Sequence, residues 1–198
     1  EGETEEFHNN KGARSKMKEG IRIKNMYETT DDPNTKRNLW GREIYPRCMY
    51  NTLMEIKNKY RDLPVYITEN GHGMYEEADE NGYVVDDARI EMMQGYIDFM
   101  FKAMEDGCDV RGYYAWSSMD LYSWVNGYEK RYGLVRVDFD NDNKRIPKKS
   151  YYWFKNLIEK YQKEIPIFVA GGIYDSKDIQ EYLCLECPQP IYRWFNGS

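Results

Sequence analysis

The chain has 198 residues, 41% of them apolar, and a formal charge of −6. This supports one folded domain, but an eight-unit (β/α) barrel typically needs about 250 residues or more. The negative charge argues against a nucleic-acid surface, which requires a basic face, and no apolar run approaches the roughly 18 to 20 residues of a membrane span.

Residues 1 to about 43 lack sustained periodicity and are rich in charge, Asn, Gly and Thr, with a turn cluster at Asp31-Asp32-Pro33-Asn34. A loop this long covers a site or belongs to something larger. The polar opening EGETEEFHNNKG, starting at Glu1 and lacking the form of a signal peptide, reads as an interior piece of a longer protein.

Tyr45 to Tyr60 is a predicted helix. Met49, Leu53, Ile56 and Tyr60 form one stripe, and Pro46 suits the first turn, where its missing N–H costs nothing. Asp62-Leu63-Pro64 breaks it, and Val65 to Thr68 is a predicted short buried strand ending in Thr68-Glu69-Asn70-Gly71. A glutamate at the carboxyl end of a barrel strand points into the mouth where barrels do chemistry; it could equally be a cap before a turn. The following loop, His72 to Asp86, is acidic and flexible in composition, with a turn at Asn81-Gly82. His72 has two readings, one lining the mouth and one a solvated surface residue, and a lone histidine in a loop is more often the latter.

Asp87 to Asp106 is the clearest helix, with Ile90, Met93, Ile97, Met100 and Met104 in a stripe. Asp86 or Asp87 is placed to cap it and Gly107 to end it. The methionines read as core packing. Cys108 to Trp116 follows as a strand, and the alternation of helix and strand indicates a parallel α/β arrangement. The loop beyond carries Ser123, Trp124, Asn126, Lys130, Arg131 and Tyr132: an indole, two cations, two hydroxyls and an amide. An indole stacks on the apolar face of a sugar, and lysine, serine and tyrosine can donate to a phosphate. The competing reading is an aromatic core edge. Gly133 to Phe139 then suggests a strand, Asp140 to Asn143 a turn, and Pro147 the start of a last helix with Trp153, Leu157 and Tyr161 on one face.

The stretch GYYAWSSMDLYSWVNGYEKRYGLVRVDF closely resembles the last strand and following loop of glycoside hydrolase family 1, and within it the 6-phospho-β-glycosidases. Their phosphate pattern is a serine, a lysine seven residues on and a tyrosine two beyond; Ser123, Lys130 and Tyr132 match it. Plain β-glucosidases of the family usually carry a glutamate where Ser123 stands. The ITENG motif resembles the family's nucleophile motif, and the likeness covers roughly residues 1 to 162.

The resemblance implies the C-terminal portion of a TIM (β/α)8 barrel, incomplete, over residues 1–162, with a non-family tail over 163–198. The implied activity is hydrolysis of 6-phospho-β-galactosides, or of the glucosides, by a retaining double displacement. Glu69 would be the nucleophile, Trp116 a wall of the sugar site, and Trp124 a sugar contact that inclines the reading to galactosides. Ser123, Lys130 and Tyr132 would hold the 6-phosphate, each charge-assisted bond contributing roughly 1.5 to 3 kcal/mol. The family's acid/base lies in an Asn-Glu-Pro motif that does not occur in these residues. The chain alone is therefore expected to be nearly inactive; the alternative is a catalytically inactive fragment or a phosphosugar-binding remnant. A half-barrel would also leave sheet edges unpaired. The expected partners are a phosphorylated β-glycoside and a complementary N-terminal half, with no nucleic acid and no membrane, in the cytoplasm.

From Ile165, IPIFVAGGIYDSKDIQEYL reads as a strand, a Gly-Gly turn and a helix capped by Asp175 or Ser176. It resembles the phosphate-binding unit of barrel flavoenzymes such as nitronate monooxygenases. A fused or mis-joined fragment with no bound flavin is the expectation, and the end, CPQPIYRWFNGS, has no period. Cys184 and Cys187 form a CxxC without partners, weak grounds for zinc or redox chemistry; with Cys48 and Cys108 they read as reduced thiols, and no metal or cofactor is expected.

Overall fold

The computed structural model describes residues 22–23, 27–28, 34–38, 43–61, 63–123, 127–161 and 167–170. Trp124, Asn126, the Asp31–Pro33 part of the turn cluster, the Gly-Gly turn and helix of the tail, and Cys184 with Cys187 lie outside them.

Two short strands, β1 (Arg22–Ile23) and β2 (Tyr27–Glu28), pair antiparallel within the stretch that lacked periodicity. Helix α1 (Arg47–Tyr60) starts after Pro46 and buries Leu53. Strand β3 (Val65–Asn70) follows, then α2 (Asp87–Glu105) and β4 (Val110–Trp116). A hairpin of β5 (Val135–Asp138) and β6 (Lys144–Pro147) precedes α3 (Lys149–Tyr161), and β7 (Ile167–Ala170) comes last.

The parallel arrangement read from the helix–strand alternation is present: β3 and β7 flank β4 in a parallel sheet of order β3-β4-β7. Leu53 of α1, the α2 stripe Met93, Ile97 and Met100, and Phe154 and Leu157 of α3 share one core with Tyr113 and Ala115 of β4. The methionines are packing, as expected. A second, smaller cluster joins Met119 to Val135 and Val137 of the hairpin.

Four local expectations are corrected. Strand β3 is not buried and runs two residues further, so that Glu69 lies inside it; Tyr66, Thr68 and Glu69 are exposed. The reason is position, since β3 has a single neighbour in this sheet among the described residues. Pro147 does not open the last helix. It closes β6 opposite Val135, an edge place where the absent N–H removes no ladder bond. The predicted strand over 133–139 contracts to Val135–Asp138 because its partner β6 is only four residues long. Asp86 makes no side-chain cap on α2. Its carboxylate instead accepts the Ser150 amide (2.8 Å) and the Ser150 hydroxyl (2.6 Å), satisfying an N–H in the first turn of α3.

Candidate active site

The site is built where β3 and β4 end side by side. Both strands point the same way, and the pairing of Asn70 with Ala115 brings Glu69 and Trp116 to the same end of the sheet. The end of β3 is anchored from within the core: the fully buried Tyr113 donates its hydroxyl to Asn70 Oδ1 at 2.7 Å. Burial pushes the Tyr113 phenol above its ordinary range, so it remains a donor. Immediately beyond, Gly71 crosses directly over the Trp116 carbonyl, and the Trp116–Ser117 peptide is cis.

The two loops leaving these strands are stitched to each other. Met74 and Arg131 exchange both backbone bonds, at 2.8 and 2.9 Å. Ser117 N–H donates to the Tyr132 carbonyl at 3.2 Å, and Leu134 N–H to the Ser117 carbonyl at 3.0 Å. Gly133 fits because a Cβ there would lie 2.2 Å from the backbone of Met119 and Asp120. Ser123 and Gly127 exchange both backbone bonds, at 2.9 and 2.8 Å.

Lys130 and Tyr132 are brought together, the Lys130 ammonium lying 5.4 Å from the centre of the Tyr132 ring. The lysine is buried, and its stem lies on Gly73, where a Cβ would come within 2.4 Å of Lys130 Cε. The loop's second cation is used differently. Arg131 lies 3.6 Å from the Asp120 carboxylate, donates to the Val137 carbonyl at 3.2 Å and covers the Phe139 ring at 4.9 Å. It is part of the scaffold.

His72 is not a solvated surface residue. It is partly buried, and desolvation, reinforced by the charges of Arg89 and Lys130, pushes its imidazole down to about 4. At neutral pH it is uncharged. The acidic loop it opens is also more structured than its composition suggested, because Glu76 is buried among cations.

Beneath the two loops lies a charged network that the sequence reading missed. Arg89, almost fully buried in the first turn of α2, contacts Asp86 (2.8 Å) and Glu76. Lys148, fully buried, bonds Asp120 at 2.8 Å and pairs with Glu76 Oε2 at 2.5 Å. Asp120 in turn accepts the Gly133 amide at 2.9 Å. Burial pushes the Glu76 carboxyl up and the Lys148 ammonium down, with the opposite charges around each pulling back. A signal for Arg89 was available: residues 89, 93, 97 and 100 fall on one helical face, so a cation stood on the apolar stripe.

The chain's relationships follow from comparison. The sequence profile of Glycosyl hydrolase family 1 matches residues 2–163. The chain belongs to this family. Its family 1 relatives include the 6-phospho-beta-galactosidase of Streptococcus mutans serotype c, 44% identical over 160 residues, which cover 80% of this chain and 33% of the relative. The 6-phospho-beta-galactosidase of Leptotrichia buccalis is 42% identical over 160 residues, with the same shares. Among solved structures, the family 1 β-glucosidase of Thermotoga maritima in complex with castanospermine superposes with a TM-score of 0.63 at 36% identity, over 67% of this chain and 30% of that one. Family 1 glycosidases have a TIM barrel, and this chain matches part of it. The chain spans about a third of the length of the curated relatives it matches. No described helix is long and apolar enough to cross a membrane.

Proposed function

We propose that this chain carries the nucleophile and the phosphate-recognition part of a glycosidase acting on 6-phospho-β-galactosides. The observation that carries the reading is the convergence of two elements at one end of the parallel sheet: Glu69 on β3, and the loop after β4 with Lys130 beside Tyr132. The relatives named 6-phospho-beta-galactosidase support the substrate class.

In this reading a Glu69 carboxylate oxygen attacks the anomeric carbon, and the bond to the leaving oxygen breaks as that oxygen takes the electron pair and a proton. Water then cleaves the glycosyl ester and restores the carboxylate, with net retention. Trp116 and Trp124 line the sugar, and Ser123, Lys130 and Tyr132 hold the 6-phosphate. The proton for the leaving group requires a second carboxyl about 5 to 5.5 Å from the first. No Asn-Glu-Pro motif occurs among the 198 residues, so a complementary N-terminal half is the proposed source. General-acid help is typically worth about 10² to 10⁴ in rate, so the chain alone turns over natural substrate very slowly. The same missing motif favours the second reading, a phosphosugar-binding remnant without turnover. Residues 1–162 form the glycosidase unit in either reading, 163–198 are a tail of non-family origin whose strand β7 joins the same sheet, and the protein acts in the cytoplasm.

The test is a thermal melt with galactose and with galactose 6-phosphate, paired with a 2-fluoro-galactoside 6-phosphate bearing a leaving group that needs no protonation. The reading expects a midpoint raised by the phosphorylated sugar alone and covalent labelling of Glu69. A phosphate-selective shift without labelling selects the remnant; no selectivity defeats both.

A further inference from the structure

Arg89 spends all five of its N–H donors inside the protein. Nε donates to Asp86 at 2.8 Å, one Nη to the carbonyls of His72 and Tyr132 (2.9 Å), and the other to Glu76 and the carbonyl of Arg131 (3.2 Å). Three acceptors are backbone oxygens: one on His72, in the loop that follows the Glu69 strand, and two on Arg131 and Tyr132, the former between Lys130 and Tyr132 and the latter on Tyr132 itself. A guanidinium is planar and its donors form a fixed fork, so five simultaneous bonds set the relative placement of both loops in a way a lysine, with three donors on a flexible stem, cannot. The clamp is itself held: Asp86 is bonded to Ser150 of α3, and Glu76 is paired with Lys148.

We infer that Arg89 is a positioning residue for phosphate recognition, fixing the backbone at Arg131 and Tyr132 so that Lys130 and Tyr132 face a 6-phosphate together. The inference rests on the reading of Lys130 and Tyr132 as phosphate-holding residues. It goes beyond that reading by assigning the selectivity of the site to a buried residue on α2 that does not itself touch sugar.

The test uses the whole chain and two readouts for Arg89→Lys. Without ligand, amide hydrogen exchange at Met74 and Arg131, which bond one another across the two loops, is expected to accelerate. With ligand, affinity for galactose 6-phosphate is expected to fall about tenfold or more while affinity for galactose is unchanged. A merely structural role would weaken both sugars alike, and that result, or unchanged exchange, overturns the inference. Lys130→Met separates it from the reading beneath it. If the unaltered chain prefers the phosphorylated sugar, Lys130→Met loses that preference and Arg89→Lys keeps it, only the role of Arg89 falls. If the unaltered chain shows no preference, the phosphate reading falls and the role of Arg89 with it. Should Arg89→Lys fail to fold, Glu76→Gln weakens the same clamp by one ionic anchor, and the same two readouts apply at smaller amplitude.

Discussion

A Cβ placed on Gly71 would stand 1.6 Å from the carbonyl oxygen of Trp116. The backbones leaving β3 and β4 thus touch immediately past the residues proposed to meet the sugar. Any side chain at position 71 must push the strand ends apart. Overpacking typically costs about 1 to 3 kcal/mol, and here the obstacle is backbone, which yields less than a side chain. Gly71→Ala is expected to destabilise the chain by about 3 kcal/mol or more, read from the denaturant midpoint. An unchanged midpoint would mean that the crossing is looser than described.

Lys130 has two roles that substitution can separate. Its stem fills space against Gly73, and its ammonium lies over Tyr132. Lys130→Met keeps the packing and removes the charge, whereas Lys130→Ala removes both. Both variants are expected to abolish selectivity for galactose 6-phosphate over galactose in a binding titration. Only the alanine variant is expected to lower the melting midpoint, by a few degrees, as for about 1 to 2 kcal/mol in a chain of this size.

Lys148 answers two buried carboxylates, Asp120 and Glu76. Truncating one partner of a buried ion pair typically costs about 3 to 5 kcal/mol because the other charge stays behind unanswered. Lys148→Ala is therefore expected to be among the most damaging single changes outside the hydrophobic core. Adding Asp120→Asn should recover part of the loss, and a double-mutant cycle measures the coupling. Full additivity would show that the two groups do not depend on each other.

His72 gives the chain a pH dependence of known sign. Its folded-state value, about 4, lies below the ordinary 6.5, so between these values the unfolded chain binds a proton that the folded one refuses. Stability contributed by neutral His72 is present above about 6.5 and is lost as pH falls toward about 4. His72→Gln is expected to flatten the stability profile across that window, measured by urea unfolding at a series of pH values. An identical slope in both proteins would exclude His72 as the source.

What the sequence disclosed and what it hid divide along physical lines. Helices α1 and α2 were legible because their apolar residues recur with helical period, and β4 because Val110 and its aromatic residues suit a pleated, packed strand. The hairpin strand β6, KRIP, was not, since four residues without alternation carry no period. Of the candidate site, Glu69 and the Ser123–Lys130–Tyr132 spacing were visible as a motif. Glu76, Asp120 and Lys148 were not, because an ionic side chain in isolation reads as solvated; Asp86 was read only as a cap, and Arg89 betrayed itself only by standing on the apolar stripe of α2. Only the fold shows that they are answered by groups distant in sequence, as Asp86 is by the Ser150 hydroxyl and Arg89 by the Tyr132 carbonyl and the Glu76 carboxylate.

The strand from the tail alters what the sheet can join. Strand β7 begins at Ile167, beyond the family match that ends at 163, yet it lies in register along Tyr113 to Trp116. The side of β4 away from β3 is therefore already occupied. A sheet edge behaves like a bonding valence, and β7 exchanges a seven-residue valence for a four-residue one. Short edges template poorly. An added strand, whether from a complementary half or from another copy, must evict β7, pair along the short outer edge of β7, or attach along β3, the side that carries Glu69.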